Sequence, residues 1–223
     1  MNKIRGVIFD LDGTLIDSMS VWTQVDEEYL SKRNIDVPDN LFLDIEEGNS
    51  FIEVARYFKQ KFSLAESIEE IIDEWTYLVV DHYQNSIKLK PGVNEFLQIL
   101  KELDIKIGIG TSNTLFLTTK VLKSNGIFDF FDSIVTGCRD IKGKPYPDIF
   151  LKVAEELNVN PENCLVCEDV LAGIQAGKNA GMHVVAVYDS YSEPDKKAIG
   201  KLADFYGSDF FQVIDYCRHN NLL

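Results

Sequence analysis

Short apolar segments recur along this chain with helix-period segments between the later ones, and this alternation restricts the fold more than any other feature. The apolar segments are Gly6 to Phe9, Ile105 to Ile109, Ser133 to Val135, Cys164 to Val166 and Val184 to Val187. Between the later ones lie Val93 to Leu103, Leu115 to Ser124, Asp148 to Leu157 and Leu171 to Asn179, where apolar residues return at helical spacing. Pro91 and Gly92 introduce the first of these helices, and Gly126 and Gly181 follow two others, as helix punctuation does. Short apolar strands alternating with helices predict an α/β fold: a parallel sheet with helices on both faces. After Tyr188 the chain reads as a loop, a small strand or turn and a final helix over Phe211 to Arg218.

The rhythm breaks once. Residues 17–87 hold no convincing strand and instead show amphipathic patterns over Val21 to Arg33, Phe51 to Phe62 and Ser67 to Asn85. That is too long for one crossover. It predicts an α-helical cap subdomain inserted after the first strand, with a core made of residues 1–16 and 88–223. The links between the two fall near Leu15–Ser18 and Ser86–Pro91.

In open parallel sheets, ligands bind beyond the carboxyl ends of the strands. The residues just past those ends are Asp10 and Asp12, then Thr111-Ser112-Asn113, then Lys144, then Glu168-Asp169. Like charges so close need a cation beside them. Four carboxylates with nearby carbonyls are a hard oxygen donor set, which suits Mg²⁺. A cation, a lysine, a threonine hydroxyl and backbone amides together hold a phosphoryl group. A carboxylate aligned on that phosphorus attacks it, and a second carboxylate two residues on protonates the leaving oxygen and then activates water.

Each motif also has a plainer reading. Asp-x-Asp-Gly occurs in ordinary turns. Asp17 and Ser18 read as caps of the first insert helix, and Thr111 reads as a cap of the helix that follows it. Lys144 alone would be a loop lysine, and Glu168-Asp169 alone an acidic pair facing a helix dipole. Their joint occurrence at successive strand ends favours a site. The histidines His82, His183 and His219 lie outside these motifs. Cys164 and Cys167 sit three apart on a strand, so their sulfurs point to opposite faces, and with Cys138 and Cys217 they complete no zinc set.

The net charge of −14 repels nucleic acid and anionic lipid. The start MNKIRGVIFD lacks the apolar core of a signal peptide, no stretch reaches membrane-spanning length, and nothing suggests a disulfide framework. The expectation is a cytoplasmic protein with no membrane or nucleic-acid partner. The absence of a long exposed apolar repeat points to a monomer.

Taken together, "DLDGT" (Asp10 to Thr14), "GTSN" (Gly110 to Asn113), "KGKPYPDIF" (Lys142 to Phe150) and "CEDVLAGIQAGKNAG" (Cys167 to Gly181) resemble the four motifs of the haloacid dehalogenase superfamily. The branch is the one with a helical cap after the first motif, β-phosphoglucomutase-like and phosphatase members included. The resemblance spans nearly the whole chain and implies a Rossmann-like core. It implies Asp10 as nucleophile and metal ligand, and Asp12 as acid/base and metal ligand through its carbonyl. Asp169 and Glu168 complete the Mg²⁺ site. Thr111 and Lys144 hold phosphate with Asn113 and the backbone near Leu11 and Ser112. Asp12 argues against dehalogenation.

The cap departs from the mutases that it otherwise resembles. Trp22 stands about where those have a histidine, and Gly48-Asn49-Ser50-Phe51 carries phenylalanine in place of a phosphate-gripping arginine. Trp22 and Ser50 remain candidates to face substrate. No lysine suits Schiff-base chemistry. The sequence therefore predicts a Mg²⁺-dependent phosphatase acting on a small phosphorylated metabolite, a sugar or polyol phosphate, through phospho-Asp10. The alternatives are a sugar phosphate mutase and a non-catalytic binding protein on the same fold.

Overall fold

The computed structural model describes residues 3–38, 41, 50–137 and 141–223. Gly48, Asn49 and Cys138 lie outside them. Six parallel strands form one sheet in the order β3-β2-β1-β4-β5-β6. They are β1 (Gly6–Phe9), β2 (Lys106–Thr111), β3 (Ser133–Thr136), β4 (Cys164–Glu168), β5 (His183–Val187) and β6 (Phe205–Gly207). Three helices follow β1: α1 (Met19–Ser31), α2 (Phe51–Lys61) and α3 (Ile68–Asn85). The others are α4 (Val93–Glu102), α5 (Leu115–Ser124), α6 (Asp148–Leu157), α7 (Leu171–Asn179), α8 (Lys196–Leu202) and α9 (Phe210–His219). Among the described residues, no helix is long and apolar enough to cross a membrane.

Strand alternation splits the core into two layers. Val7, Phe9, Ile109, Cys167 and Val185 share one cluster with Phe96, Val121 and Phe210 from α4, α5 and α9. Ile8, Cys164, Val166 and Val184 share the other with Phe150, Val153 and Ile174 from α6 and α7. Cys164 and Cys167 are thus buried free thiols on opposite faces. Burial pushes the Cys164 thiol up to about 12. Each such large apolar side chain contributes about 1.5–3 kcal/mol on full burial.

The α1–α3 segment has its own aromatic centre. Trp75 meets Phe58, Phe51 and Tyr29 edge-on at centroid distances of 4.9, 5.5 and 5.6 Å. The Arg33 guanidinium stacks 3.8 Å over Tyr29 and pairs with Glu66 at 2.6 Å and Glu74 at 2.7 Å, tying α1 to α3. Capping boxes at Ser50–Glu53 and Ser67–Glu70 start α2 and α3. Two chain segments lead in and out of these helices side by side. Ile16 bridges Leu89, the Asp17 N–H donates to the Lys88 carbonyl at 2.9 Å, and the Lys90 N–H donates to the Leu15 carbonyl at 2.9 Å.

The helices expected over Leu115 to Ser124, Asp148 to Leu157 and Leu171 to Asn179 match the observed elements to the residue. β6 and α8 resolve the C-terminal stretch that the sequence left as loop and small strand.

Candidate active site

Strand register builds the site. Phe9 pairs with Cys167 on one side of β1 and with Ile109 on the other. The chain past Phe9 therefore lies between the ends of β4 and β2, and the Asp10 N–H donates to the Cys167 carbonyl at 2.9 Å. This brings Glu168, Asp169 and Thr111 beside Asp10. Lys144 arrives from the loop after β3. It is 2% exposed, with its ammonium 2.5 Å from both Asp10 Oδ1 and Glu168 Oε1.

The three carboxylates Asp10, Glu168 and Asp169 each place an oxygen within 4.8 Å of the others. Three buried acids against one ammonium leave the cluster negative. Burial, then the repulsion of Glu168, outweighs the pull of Lys144 and raises Asp10 to about 7. Burial, then Glu168 and Asp10, pushes Asp169 well above the carboxylate range. Burial on its own would lower the Lys144 ammonium, but Asp10 and Glu168 more than offset it and hold it above its ordinary value.

A divalent cation fits this cluster. Glu168 Oε1 is taken by Lys144, and Oε2 accepts the N–H groups of Asp169 at 2.8 Å and Val170 at 3.0 Å. Asp169 Oδ1 accepts from the Thr14 hydroxyl at 2.8 Å, but its Oδ2 is buried with no hydrogen-bond partner. An unpaired buried carboxylate oxygen is costly, and a hard cation relieves it. The turn leaves the space open. Gly13 has φ +81°, and a Cβ there would stand 2.3 Å from Asp169 Oδ2.

Asp12 keeps different company. Its Oδ1 accepts from the Ser18 hydroxyl at 2.7 Å, the Trp22 indole N–H at 3.3 Å and the Tyr83 hydroxyl, and its Oδ2 accepts from the Asn113 amide at 2.9 Å. Ser18 stands at the N-cap of α1 but makes no side-chain cap bond, because its hydroxyl is spent on Asp12. Thr111 does not cap α5. Thr114 does, and Thr111 Oγ1 instead accepts the Asn113 N–H at 3.1 Å.

Asp10, Asp12, Trp22, Thr111, Ser112, Asn113 and Lys144 line a single cavity of about 420 Å³. Four expected site residues are not among its lining: Glu168 and Asp169, which stand in the acid cluster with Asp10, and Leu11 and Ser50. Leu11, expected to serve through its backbone, packs its side chain in the core, 0% exposed. Ser50, expected near substrate, has its hydroxyl committed to the α2 capping box, and its neighbour Phe51 donates its N–H to the Ser112 carbonyl at 3.1 Å.

Tyr83 was not legible as a site residue. It closes a buried stripe of α3 at spacing four, Ile71–Trp75–Val79–Tyr83, which reads as core. Its hydroxyl also accepts from Trp22 Nε1 and Asn113 Nδ2, each at 2.9 Å. The one available signal was general: a buried tyrosine needs a partner for its hydroxyl. Burial, then Asp12, pushes Tyr83 well above its ordinary range, so it remains a donor. Tyr83→Phe is expected to lower kcat about tenfold with a smaller change in KM, because it orients Asp12 rather than substrate. Steady-state phosphate release checks this, and an unchanged kcat would remove Tyr83 from the positioning network.

Asp26 on α1 also lines the cavity and was missed. Burial, then the neighbouring Glu27, raises it to about 7. The folded state therefore keeps a proton that the unfolded chain releases from near pH 3.8 upward, so this group's contribution to stability declines as pH rises towards 7. Asp26→Asn is expected to raise stability by about 1–2 kcal/mol at pH 8 after allowance for partial exposure, and by little at pH 4. Thermal unfolding at the two pH values measures the difference. A gain that is equal at both would place the effect elsewhere.

Residues 7–187 match the family described as haloacid dehalogenase-like hydrolase. Hexitol phosphatase B of Escherichia coli K12 is 27% identical over 208 residues, covering 91% of this chain and 90% of that one. The (DL)-glycerol-3-phosphatase 1 of Arabidopsis thaliana is 34% identical over 216 residues, covering 91% of this chain and 72% of that one. Among solved structures, a β-phosphoglucomutase from Clostridium difficile superposes with a TM-score of 0.78 at 28% identity, covering 97% of this chain and 96% of that one.

Proposed function

The chain belongs to the haloacid dehalogenase-like hydrolase family, and from that premise we propose that it is a Mg²⁺-dependent phosphatase of sugar or polyol phosphates acting through phospho-Asp10. The observation that carries this reading is the contrast between two carboxylates two residues apart. Asp10 sits in the acid–lysine cluster, while Asp12 is held by hydroxyl, indole and amide donors. Paired acids in separate environments suit separate roles in one reaction.

In the first half-reaction a carboxylate oxygen of Asp10 attacks phosphorus, the bond from phosphorus to the ester oxygen breaks, and Asp12 gives that oxygen a proton. In the second, Asp12 takes a proton from water as the water attacks phospho-Asp10, which frees phosphate and restores both groups. Lys144 keeps Asp10 oriented and offsets charge on the phosphoryl group, with Thr111 and Asn113 nearby on the cavity wall. Asp10, Asp169, Glu168 and the Asp12 carbonyl would hold Mg²⁺, which supplies charge neutralisation at the phosphoryl oxygens.

The division into a core, residues 1–16 and 88–223, and a cap, residues 17–87, belongs to this proposal. Ser18, Trp22 and Tyr83, which all donate to Asp12 Oδ1, come from the cap side. Cap closure would therefore set the acid/base group and exclude bulk water together. The hydrogen-bonded pair of links at Ile16 and Leu89 suits a hinge.

The test is phosphate release from a panel of sugar, polyol and nucleotide monophosphates with Mg²⁺ or with EDTA. Release that needs Mg²⁺ and is confined to one substrate class supports the reading. If no monophosphate is turned over but a hexose 1-phosphate is isomerised when its bisphosphate is added, the mutase reading replaces it. The hexitol and glycerol phosphatases among the relatives favour the hydrolase.

A further inference from the structure

The cavity has a second polar wall that the phosphoryl chemistry does not use. Asp26 of α1 faces the same space as Tyr191, Ser192 and Asp195, which lie on and just after the turn that follows β5. No hydrogen bond or ion pair engages the Asp26 carboxylate among the described residues, although burial disfavours its charge. Across the cavity, Ser192 is 5% exposed and its hydroxyl has no partner. Trp75, also on the wall, likewise leaves its buried indole N–H unpaired. Unpaired polar groups on a cavity wall are costly without a ligand, and a ligand with matching hydrogen-bonding groups relieves them.

The turn is held as a platform. Asp189 caps it by accepting the Tyr191 N–H at 2.8 Å, and its carboxylate pairs with Lys90 at 2.5 Å. Lys90 is itself tied to the links through the Leu15 carbonyl. Tyr191 lines the cavity together with Asp10 and Asp26, so an ester with its phosphate at Asp10 has its alcohol part in the space these residues share.

Charge sets what that alcohol can carry. Among the described residues lining the cavity, Lys144 is the one cation, and it is already shared by Asp10 and Glu168. The far wall adds the carboxylates Asp26 and Asp195. Hydroxyl groups can hydrogen-bond to Asp26 in either protonation state, whereas a second phosphate would find no free cation here and, above about pH 7, would also meet the charge of Asp26.

Resting on the phosphatase reading above, we infer that Asp26, with Tyr191 and Ser192 opposite, is the specificity determinant of this cavity: it binds hydroxyls of the leaving alcohol and rejects substrates bearing a second phosphate. The enzyme's substrate is thus the monophosphate of a polyhydroxylated, otherwise uncharged alcohol.

Steady-state kinetics test this with a hexitol phosphate, fructose 1,6-bisphosphate and p-nitrophenyl phosphate, using wild type, Asp26→Ala, the isosteric Asp26→Asn and Ser192→Ala. The ratio of kcat/KM for hexitol phosphate over p-nitrophenyl phosphate is expected to fall about tenfold or more in Asp26→Ala, and by less in Ser192→Ala. Turnover of the bisphosphate is expected to rise in both Asp26 variants. A ratio that stays put in both Asp26 variants, or bisphosphate turnover that does not rise, overturns the subsite. If wild type with Mg²⁺ fails to hydrolyse even p-nitrophenyl phosphate, the phosphatase reading itself falls and takes the subsite with it. Hydrolysis with an unmoved ratio sinks the subsite alone.

Discussion

Asp10→Asn is expected to abolish Mg²⁺-dependent phosphate release, a loss on the order of 10⁴-fold or more, while the protein stays folded. The amide cannot form the acyl phosphate, and the other carboxylates are committed elsewhere: the free Oδ2 of Asp169 is the oxygen left for the cation. Glu168 has both oxygens engaged by Lys144 and by the N–H groups of Asp169 and Val170. Asp12 is held by Ser18, Trp22, Tyr83 and Asn113. Folding is spared because the substitution removes one of three buried like charges that repel each other. Lys144 keeps its pair with Glu168 at 2.5 Å. The unfolding midpoint in EDTA should therefore not fall. Phosphate assays and thermal scans on the same sample separate the two effects. Activity within about tenfold of wild type would mean that Asp10 is not the nucleophile, since losing such a group costs far more.

The inner half of this site was legible because strand ends and motif order are written locally. Asp10, Thr111, Lys144, Glu168 and Asp169 each follow or end an apolar strand, and parallel register does the rest. The helices around them were legible for a similar reason: α6 and α7 carry apolar periodicity, and Gly181 follows α7. The outer half was not legible. Asp26 lies one turn beyond Trp22 on α1 and looks like any solvent-facing acid in "QVDEEYL". Ser192 sits in a polar turn whose place over the cavity depends on the Lys90–Asp189 pair, made between residues almost a hundred positions apart. Tyr83 hides in a core stripe. Long-range side-chain partners of this kind leave no periodic trace. Ser50 shows the converse: a residue placed by resemblance near substrate is used by its own helix as a cap, which "SFIE" does encode.

Gly173→Ala should cause a loss of stability and activity together, from the addition of one methyl group. Gly173 lies in the first turn of α7, and a Cβ there would stand 1.7 Å from Glu168 Oε1 and 2.0 Å from Cδ. No rotation of a flexible tip relieves this, because Glu168 is 0% exposed and both its oxygens are bound. Either α7 withdraws from the sheet or the Glu168 carboxylate leaves Lys144. The second course takes the buried Glu168 carboxylate from its ammonium and from both its N–H donors at once, and breaking a buried pair costs about 3–5 kcal/mol. It also displaces the acids beside Asp169, so affinity for Mg²⁺ should drop by about 10–100-fold, as when a group that orients metal ligands is lost. Gly200→Ala supplies the contrast. Gly200 is exposed on α8, and its nearest neighbour, Tyr206 Cδ1, would be 3.7 Å from an added Cβ. There the same substitution should stabilise by about 0.5–1 kcal/mol through helix entropy, with activity unchanged. Urea unfolding and Mg²⁺ titration of both variants measure the outcome. If Gly173→Ala were as stable as Gly200→Ala, the close approach of α7 to Glu168 would not be what fixes the acid cluster.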